Sequence, residues 1–536
     1  MRRVVAVCAA AIVVLAAFFA REAFVRSETA APRAPVVHAE REGIRPAMQA
    51  LSGQVALVAS ADAVRWRIRG ATKWRQSTRR VLIRAWDTTK LPDGPYILEL
   101  DDGREAKTQK LFIRNFTYLP PSLEGDASGG TPPRSSDARA VVAAFARRSY
   151  RPGEIAVLNL WRRYGHVRIE LLHVGPEEQL TVGNETIEGV PIRPPFLVRG
   201  EHRSVHIRVG RWESGFYTAR MTSGRKVGFA PFIVRPSRLG AQPVAVVLPT
   251  YTWQAYNFRD ADADGKPDTW YYNGNFRTVD LLRPYLDRGV PRHFRRYDLG
   301  FLRWLAHTGR RVDMLAQEDI ETVSGDRLAQ LYRLIIYPGH HEYVTEAEYD
   351  AVQRYRDLGG DLAFLSSNNF YWRVDRDGNR ITRIGLWRDL GRPEAALVGV
   401  QYFTWNQDKF GARAYRVRGV TLAPWLFDGT GLKDGGQFAK FGIEADHEAR
   451  ASPKSLRVLA TIPHIFNARH AADMTYYKAP SGARVFGAGA FTLAGIQARC
   501  ATVARFLANL WDELAREPIH ERYAEGDVDH CPGDRK

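Results

Sequence analysis

Two histidines and a glutamate stand side by side in the stretch YPGHHEYVT, as His340, His341 and Glu342. The stretch follows the apolar run at residues 334–336 and precedes a helical pattern, so the three side chains fall at the end of a predicted strand. Imidazole and carboxylate groups can bind a metal ion or transfer protons during catalysis. The pattern makes this loop a candidate for hydrolytic chemistry.

Two further predicted strand ends carry polar residues. The loop after the apolar run 244–248 holds Tyr251 and Tyr256, and the run DLAFL leads into Ser-Ser-Asn-Asn at residues 366–369. Ligands of open α/β sheets bind at the carboxyl ends of the strands. Each loop alone could simply cap a helix and pack its aromatic rings. Three polar loops at successive strand ends of one sheet favour a binding site.

The sequence gives little support to a side-chain nucleophile. No cysteine lies between Cys8 and Cys500, and the chain contains no Gly-x-Ser-x-Gly motif. Ser366 or Ser367, paired with a histidine of the GHHEY loop, stays open as an alternative. Metal-assisted hydrolysis is favoured over it, because that chemistry needs hard ligands and no reactive side chain.

The patterns along the chain predict the domains that position these loops. Short runs with period-two alternation and frequent turns are typical of β-sandwiches, whereas strands alternating with helical patterns predict a parallel sheet covered by helices on both faces. The predicted parts are an Ig-like β-sandwich at 46–118, a Pro/Gly/Ser-rich linker at 119–139, a second β-sandwich at 140–236, an α/β domain at 240–515 and a C-terminal tail at 516–536.

The N-terminal segment has the layout of an export signal or a membrane anchor. Arg2 and Arg3 precede an apolar run at residues 4–20. Its poor match to a cleavage site favours an uncleaved signal/membrane anchor at 1–27, followed by an Ala/Pro-rich tether at 28–45. We therefore expect an extracytoplasmic protein on a single-pass N-terminal anchor, with a secreted form as the alternative.

Charge and cysteine content agree with an exported protein. The net charge is +18, but its arginines are scattered, which favours an anionic surface such as lipid or envelope polymer as a neighbour. No nucleic-acid-binding motif is present, so we predict no nucleic-acid partner. Only Cys500 and Cys531 lie outside the N-terminal run; they could form one disulfide in an oxidising compartment, and they are too few for a cysteine zinc site.

Several of these motifs together resemble a known family. The runs GHHEY, TEAEYDAVQRYRDLGGDLAFL, NNFYWRV and GARVFGAGAFTLAGI look like the catalytic domain of the large (beta) subunit of N,N-dimethylformamidase, over about residues 240–515. The resemblance implies a fold similar to that of the class I glutamine amidotransferases and hydrolysis of the C–N bond of a small-molecule amide. The family enzyme also has a small subunit, but this sequence identifies neither a partner subunit nor an oligomeric state.

The resemblance further implies an iron(III) site built from two tyrosinates and a glutamate. The matching residues are Glu342 as the carboxylate ligand, with Tyr256 and Tyr297 as the tyrosinates. Three negative oxygen donors suit a hard trivalent cation, and the cation is what would ionise tyrosines, whose ordinary pKa is about 10.

The family's remaining active-site residues map onto two of the loops. His340 would be the proton-transferring partner of the site, and Asn368, with Asn369 as the alternative, would hold the developing oxyanion. These roles follow from the resemblance alone.

The sequence departs from the family at two points. His341 stands where relatives have proline, and we expect it to face solvent rather than to bind the metal. The family's downstream glutamate is not matched in ADMTYYKAPSGARVF, which offers Asp473 and Lys478 instead. This departure puts formamide hydrolysis in question, so the alternative is a non-catalytic cell-envelope binding protein with a degenerate catalytic domain.

An acidic loop, DADADGKPD, lies beside Tyr256. Its aspartates occupy positions one, three, five and nine of a calcium-loop pattern, with Gly265 at six, although position twelve is Tyr271 where an acid is usual. The aspartates are Asp260, Asp262, Asp264 and Asp268. A bound Ca²⁺ would stiffen the segment that carries Tyr256, whereas the plain alternative is an acidic surface turn.

Equilibrium dialysis tests the calcium prediction. We expect the protein to take up Ca²⁺ and a variant carrying both Asp260→Asn and Asp262→Asn to lose that uptake, because two anionic ligands are removed. Equal uptake by the two proteins would contradict it.

Overall fold

The computed structural model describes strands between residues 50 and 113 and most of residues 139–515. The described residues are 50–51, 54–58, 64–69, 72–77, 81–87, 94–101, 103, 106–113, 139–199, 203–270, 278–405, 413–441, 444–465, 470–491, 493–495 and 500–515. The predicted anchor, tether and tail, with nearly all of the linker, lie outside them. Within the described part, no helix combines the length and the apolar character needed to cross a membrane. The chain divides into two compact units, Met1–Tyr118 and Leu119–Lys536.

The first unit consists of short strands. They are β1 (Ala50–Leu51), β2 (Gln54–Val58), β3 (Val64–Ile68), β4 (Arg75–Ser77), β5 (Val81–Asp87), β6 (Gly94–Asp101) and β7 (Ala106–Ile113). Five form a sheet of order β1-β7-β6-β3-β4, and β2 pairs with β5. Trp66 and Ile68 are buried beside Leu98 and Leu100 of the neighbouring strand, as period-two alternation requires.

The second unit begins with two more sheets. Their strands are β8 (Ala143–Phe145), β9 (Ser149–Tyr150), β10 (Ile155–Leu160), β11 (His166–His173), β12 (Val190–Pro191), β13 (Phe196–Arg199), β14 (Ser204–Arg208), β15 (Gly215–Ser223) and β16 (Lys226–Val234). A three-stranded sheet, β14-β10-β8, and a six-stranded sheet contribute to one apolar core. The six-stranded sheet has the order β12-β11-β15-β16-β9, and its sixth strand, β13, also pairs with β11. The prediction of a multidomain, β-rich chain is confirmed.

Strands and helices alternate in the rest of the second unit. In chain order the elements are β17 (Val244–Leu248), α1 (Thr250–Ala255), β18 (Thr278–Asp280), α2 (Phe294–Tyr297), α3 (Leu299–His307), β19 (Asp313–Ala316), α4 (Gln317–Ile320), α5 (Gly325–Leu331), β20 (Leu334–Tyr337), β21 (Tyr343–Val344), α6 (Glu346–Asp357), β22 (Asp361–Phe364), β23 (Trp372–Asp377), β24 (Arg380–Leu386), α7 (Ala395–Val398), β25 (Gln401–Trp405), β26 (Arg413–Val417), α8 (Pro424–Phe427), β27 (Gln437–Phe441), β28 (Glu444–His447), β29 (Arg457–Ile465), β30 (His470–Lys478), β31 (Arg484–Gly487) and α9 (Ala501–Leu514).

A nine-stranded sheet, ordered β19-β17-β20-β22-β31-β30-β29-β26-β27, organises this region. Its first five strands are mutually parallel, and the other four continue it antiparallel. Val246 and Ile336 belong to the apolar cluster on one face, whereas Val247 and Ile335 belong to the cluster on the other. Burial on both faces explains why the parallel strands read as continuous apolar runs.

The antiparallel half of this sheet was not predicted, and neither was the small sheet β18-β24-β23-β21. Parallel direction brings the carboxyl ends of β17, β20 and β22 to one edge, as expected. The loops that leave this edge carry the residues considered for chemistry.

A buried carboxyl group lies where α6 packs on the sheet. Glu348 accepts hydrogen bonds from Gln317 Nε2 at 3.0 Å and from Tyr337 Oη at 3.4 Å, and it is fully buried. Burial raises the pKa of Glu348 well above 4.5. The folded protein therefore holds a proton that the unfolded chain releases above pH 4.5, so this group makes folding less favourable as pH rises.

A Glu348→Gln variant tests this account. The amide keeps the shape and cannot ionise, so the variant should gain stability over the wild type progressively as pH rises above 4.5. Urea unfolding at about pH 5 and about pH 8 measures the difference. A difference of the same size at both values would contradict the raised pKa.

Candidate active site

The candidate site begins where the loops after β17 and β20 meet. Helix α1 follows β17 and ends beside Tyr256, while His340 and Glu342 follow β20. The backbone N–H of Glu342 donates to Thr252 Oγ1 at 3.1 Å, which ties the two loops together. Side chains far apart in sequence are thereby held at one edge of the sheet.

Four buried polar side chains form the centre of the site. Tyr256 Oη donates to Glu342 Oε2 at 2.8 Å. His340 Nε2 lies 3.4 Å from Glu342 Oε2 and also 3.4 Å from Glu444 Oε2. All four side chains are buried, so their mutual contacts replace most of the hydration that water would give them.

A cavity of about 20 Å³ adjoins this centre. Its walls include Tyr256, Tyr297, Asp298, His340, Glu444 and Phe491. A volume of this size holds about one water molecule or ion. The Phe491 ring lies 5.0 Å from the Tyr297 ring and 4.6 Å from that of His340, measured between ring centres. The structure thus brings Tyr297 to the same cavity as Tyr256 and His340.

Glu444 is the residue of this site that sequence reasoning missed. It lies on β28, in the run EADH, and its side chain is buried. The prediction offered Asp473 and Lys478 in place of a downstream glutamate, but neither is among the residues that line the cavity. Asp473 instead accepts the backbone N–H of Glu448 at 3.2 Å, and Lys478 is exposed. The sequence signal that could have identified Glu444 is the pair of acidic residues, Glu444 and Asp446, at alternate positions of one strand.

Asn368 lies beside β28 in an unusual backbone conformation. Its φ is +53°, in the left-handed region that asparagine tolerates better than most residues with a Cβ. The backbone N–H donates to both carboxylate oxygens of Asp446, at 2.8 and 3.1 Å. The Asn368 side chain is fully buried, and none of the residues that the structure describes gives its amide atoms a hydrogen-bond partner.

His341 is buried, so the expectation that it faces solvent is wrong. Its ring nitrogens lie 3.1 Å from the carbonyl oxygen of Gly339 and 2.8 Å from that of Val247, and its backbone N–H donates to Asn369 Oδ1 at 3.3 Å. Burial lowers the pKa of His341 to about 3, so the ring is neutral. His341 and Asn369 therefore hold the loops in place.

The serine alternative receives no geometric support at Ser367, while for Ser366 it stays a prediction. Ser367 Oγ donates to the backbone carbonyl oxygen of Glu444 at 2.8 Å. This bond fastens the loop after β22 to β28. It directs the hydroxyl to the backbone rather than to a base.

Asp298 adds a further buried carboxyl group to the cavity wall. Trp253 Nε1 donates to its Oδ2 at 3.1 Å. Burial raises the pKa of Asp298 to about 7, because water is excluded from the charged form. Gly339 packs directly against this carboxyl group, where a Cβ atom would collide with Oδ1.

Three of the four aspartates of the acidic loop come together. One carboxylate oxygen from each of Asp260, Asp262 and Asp268 lies within 4.8 Å of the others. Asp264 instead accepts the backbone N–H of Lys266 at 2.8 Å, and Tyr271 lies outside the described residues. Thr269 Oγ1 donates to the carbonyl oxygen of Ala255, next to Tyr256. Binding of Ca²⁺ stays a prediction.

Fold and site together are those of a multidomain, β-rich protein with a buried acid–base centre at the carboxyl edge of parallel strands. The chain belongs to the N,N-dimethylformamidase beta subunit-like family: the model for the C-terminal part of that family matches residues 202–498. This confirms the resemblance inferred from the motifs.

Two curated relatives bear the name N,N-dimethylformamidase beta subunit. The protein from Alcaligenes sp is 29% identical over 263 residues, and that from Paracoccus aminophilus is 25% identical over 264 residues. Each match covers 42% of this chain and 34% of the relative, so the chain spans about a third of the length of these relatives. Among solved structures, the N-terminal four Ig domains of Dscam1 isoform 7.44 match at 11% identity over 40% of this chain and 48% of that one, with a TM-score of 0.11.

A Gly339→Ala variant tests the packing at the cavity wall. The added methyl group should collide with the Asp298 carboxyl group and destabilise the protein by about 1–3 kcal/mol, because that group is buried and held by Trp253 Nε1. Gly165→Ala is the matched control, since a Cβ at that position meets nothing within 4 Å. Urea unfolding of both variants gives the free energies, and equal stabilities would contradict the close contact.

Proposed function

We propose that this chain is a metal-dependent hydrolase that cleaves the carbon–nitrogen bond of a small-molecule amide. The observation that carries the proposal is the buried contact of Tyr256 with Glu342, with His340 beside both Glu342 and Glu444. Tyr256, His340 and Glu444 line one cavity, and Glu342 contacts the first two of them. A phenol, an imidazole and carboxylates are the groups that metal-assisted hydrolysis uses. The family of the relatives points to the same reaction class.

Two residues that line the cavity, together with Glu342 beside them, fit ferric iron. Tyr256, Tyr297 and Glu342 would supply two phenolates and a carboxylate, which are hard oxygen donors whose combined charge balances a trivalent cation. Tyr256 Oη and Glu342 Oε2 are already 2.8 Å apart, and Tyr297 lines the same cavity as Tyr256. When bound, iron would supply a Lewis acid that polarises the amide carbonyl.

His340 and Glu444 are placed for proton transfer. His340 can take a proton from the attacking water and deliver it to the departing amine, the usual task of an imidazole with a carboxylate partner. Glu444 Oε2, 3.4 Å from His340 Nε2, would orient the ring and stabilise its protonated form. Asn368, with its buried side-chain amide, would hold the carbonyl oxygen as it gains negative charge.

The proposal extends to a partner subunit, the cellular compartment and the fold of the α/β domain. The relatives are named as beta subunits, so we infer a partner subunit for this chain. Cys500 is disulfide-bonded, which supports an oxidising compartment and hence export on the N-terminal segment. The five parallel strands with an apolar core on each face support a fold like that of the class I glutamine amidotransferases.

Metal content and amide hydrolysis test the proposal. The purified protein should contain about one iron per chain and show the visible charge-transfer colour of ferric tyrosinate. It should release ammonia from formamide or dimethylamine from N,N-dimethylformamide. Glu342→Ala should abolish iron binding. His340→Ala and Glu444→Gln should keep the iron and lower kcat by about 10²–10⁴-fold, because they remove proton transfer only.

Glu178→Ala is a matched control, because this glutamate is exposed and is not among the residues at the cavity. Stoichiometric iron in Glu342→Ala would contradict the ligand assignment. A wild-type protein that stays colourless and iron-free after ferric loading would favour the envelope-binding alternative.

A further inference from the structure

Strand β28 presents two buried carboxylates to the site region. Glu444 and Asp446 are two residues apart, so their side chains leave the strand on the same face. Glu444 reaches His340, whereas Asp446 accepts the backbone N–H of Asn368 with both oxygens, at 2.8 and 3.1 Å. The backbone N–H of Asp446 donates to Gly489 O at 2.8 Å, which fixes the strand in turn.

The loop that receives this contact is strained. Asn368 has φ +53° and Phe370 has φ +59°, a left-handed conformation that asparagine tolerates and that is sterically unfavourable for phenylalanine. Strained backbone of this kind persists only where surrounding contacts determine it, and such residues cluster at functional sites. A free loop would relax to an ordinary conformation.

Contacts from both sides hold the loop. Phe370 N–H donates to His341 O at 2.8 Å, on the side of β20. Ser367 Oγ donates to Glu444 O at 2.8 Å, on the side of β28. The hydrogen bond that the Asn368 N–H donates to Asp446 acts directly on the residue with the left-handed backbone.

The side-chain amide of Asn368 indicates what the held loop could do. It is fully buried, yet within the described part of the chain neither its Oδ1 nor its Nδ2 has a hydrogen-bond partner. Buried amides are normally satisfied, and an exception in a folded protein calls for a functional explanation. An amide kept ready for a ligand explains both the missing partner and the strain.

We propose that Asp446 is a positioning residue: by accepting the backbone N–H of Asn368 it holds the left-handed conformation and thereby fixes the direction of the Asn368 side-chain amide. The role given to the Asn368 amide in catalysis rests on the proposed function. The role of Asp446 in positioning that amide rests on geometry alone. Asp446 itself touches neither substrate nor metal in this account.

Two substitutions separate positioning from simple core packing. Asp446→Leu keeps the branching at Cγ and removes the acceptor, so residue 368 should leave the left-handed region. Asp446→Asn keeps one carbonyl oxygen as the acceptor and should retain the conformation. Crystal structures of the two variants measure φ at residue 368 and the direction of its amide, and they do so whether or not the protein is active.

Kinetics with N,N-dimethylformamide give the second measurement. Asp446→Leu should lower kcat by about 10–100-fold with KM and iron content unchanged, since only transition-state stabilisation is lost. Asp446→Asn should recover most of that loss. In an Asn368→Ala background, Asp446→Leu should cause no further loss of kcat, because the two residues act as one unit.

Each outcome decides the inference. Retention of φ near +53° and of the amide direction in Asp446→Leu would overturn it, as would losses that multiply in the double variant. If Asp446→Leu does not fold, Asp446→Ser replaces it, because a serine hydroxyl is too short to span the same contact. A wild-type protein without amidase activity would refute the proposed function, while the crystal structures would still decide the role of Asp446.

Discussion

Burial of a glutamate, a histidine and a tyrosine in mutual contact is the constraint on which the site depends. Glu342, His340 and Tyr256 come from two loops, and Glu444 reaches them from a strand much later in the chain. Ionisable groups removed from water are costly unless other polar groups replace the water. The fold meets this requirement by joining the two loops through Thr252 and by placing β28 against the loop after β22. The same groups are the ones that the proposed function would use.

The convergence of Tyr256, His340 and Glu342 could be predicted from the sequence, because continuous apolar runs indicated parallel strands and parallel strands end at a common edge. Glu444 could not be found in this way. It lies on β28, a short strand that pairs with β25. In the chain, β28 follows β26 and β27, which belong to the antiparallel part of the nine-stranded sheet that was not predicted. The resemblance indicated that a downstream glutamate was needed but placed the search around Asp473.

The orientation of His341 could not be predicted from the local sequence pattern. Adjacent polar residues in a loop can point in opposite directions, and the sequence does not say which of them meets a backbone carbonyl. In the structure, His341 lies among the carbonyl oxygens of Gly339 and Val247, and burial keeps its pKa low. The left-handed backbone of Asn368 could not be predicted from the sequence either, since asparagine adopts both ordinary and left-handed conformations.

We propose that Tyr256, Tyr297 and Glu342 hold one ferric ion beside His340. Anomalous X-ray scattering from crystals of the iron-loaded protein, recorded on both sides of the iron absorption edge, tests it most directly. One iron peak per chain is expected, within bonding distance of all three side chains. Absence of a peak at the cavity, or a peak confined to the acidic loop around Asp260, would contradict it.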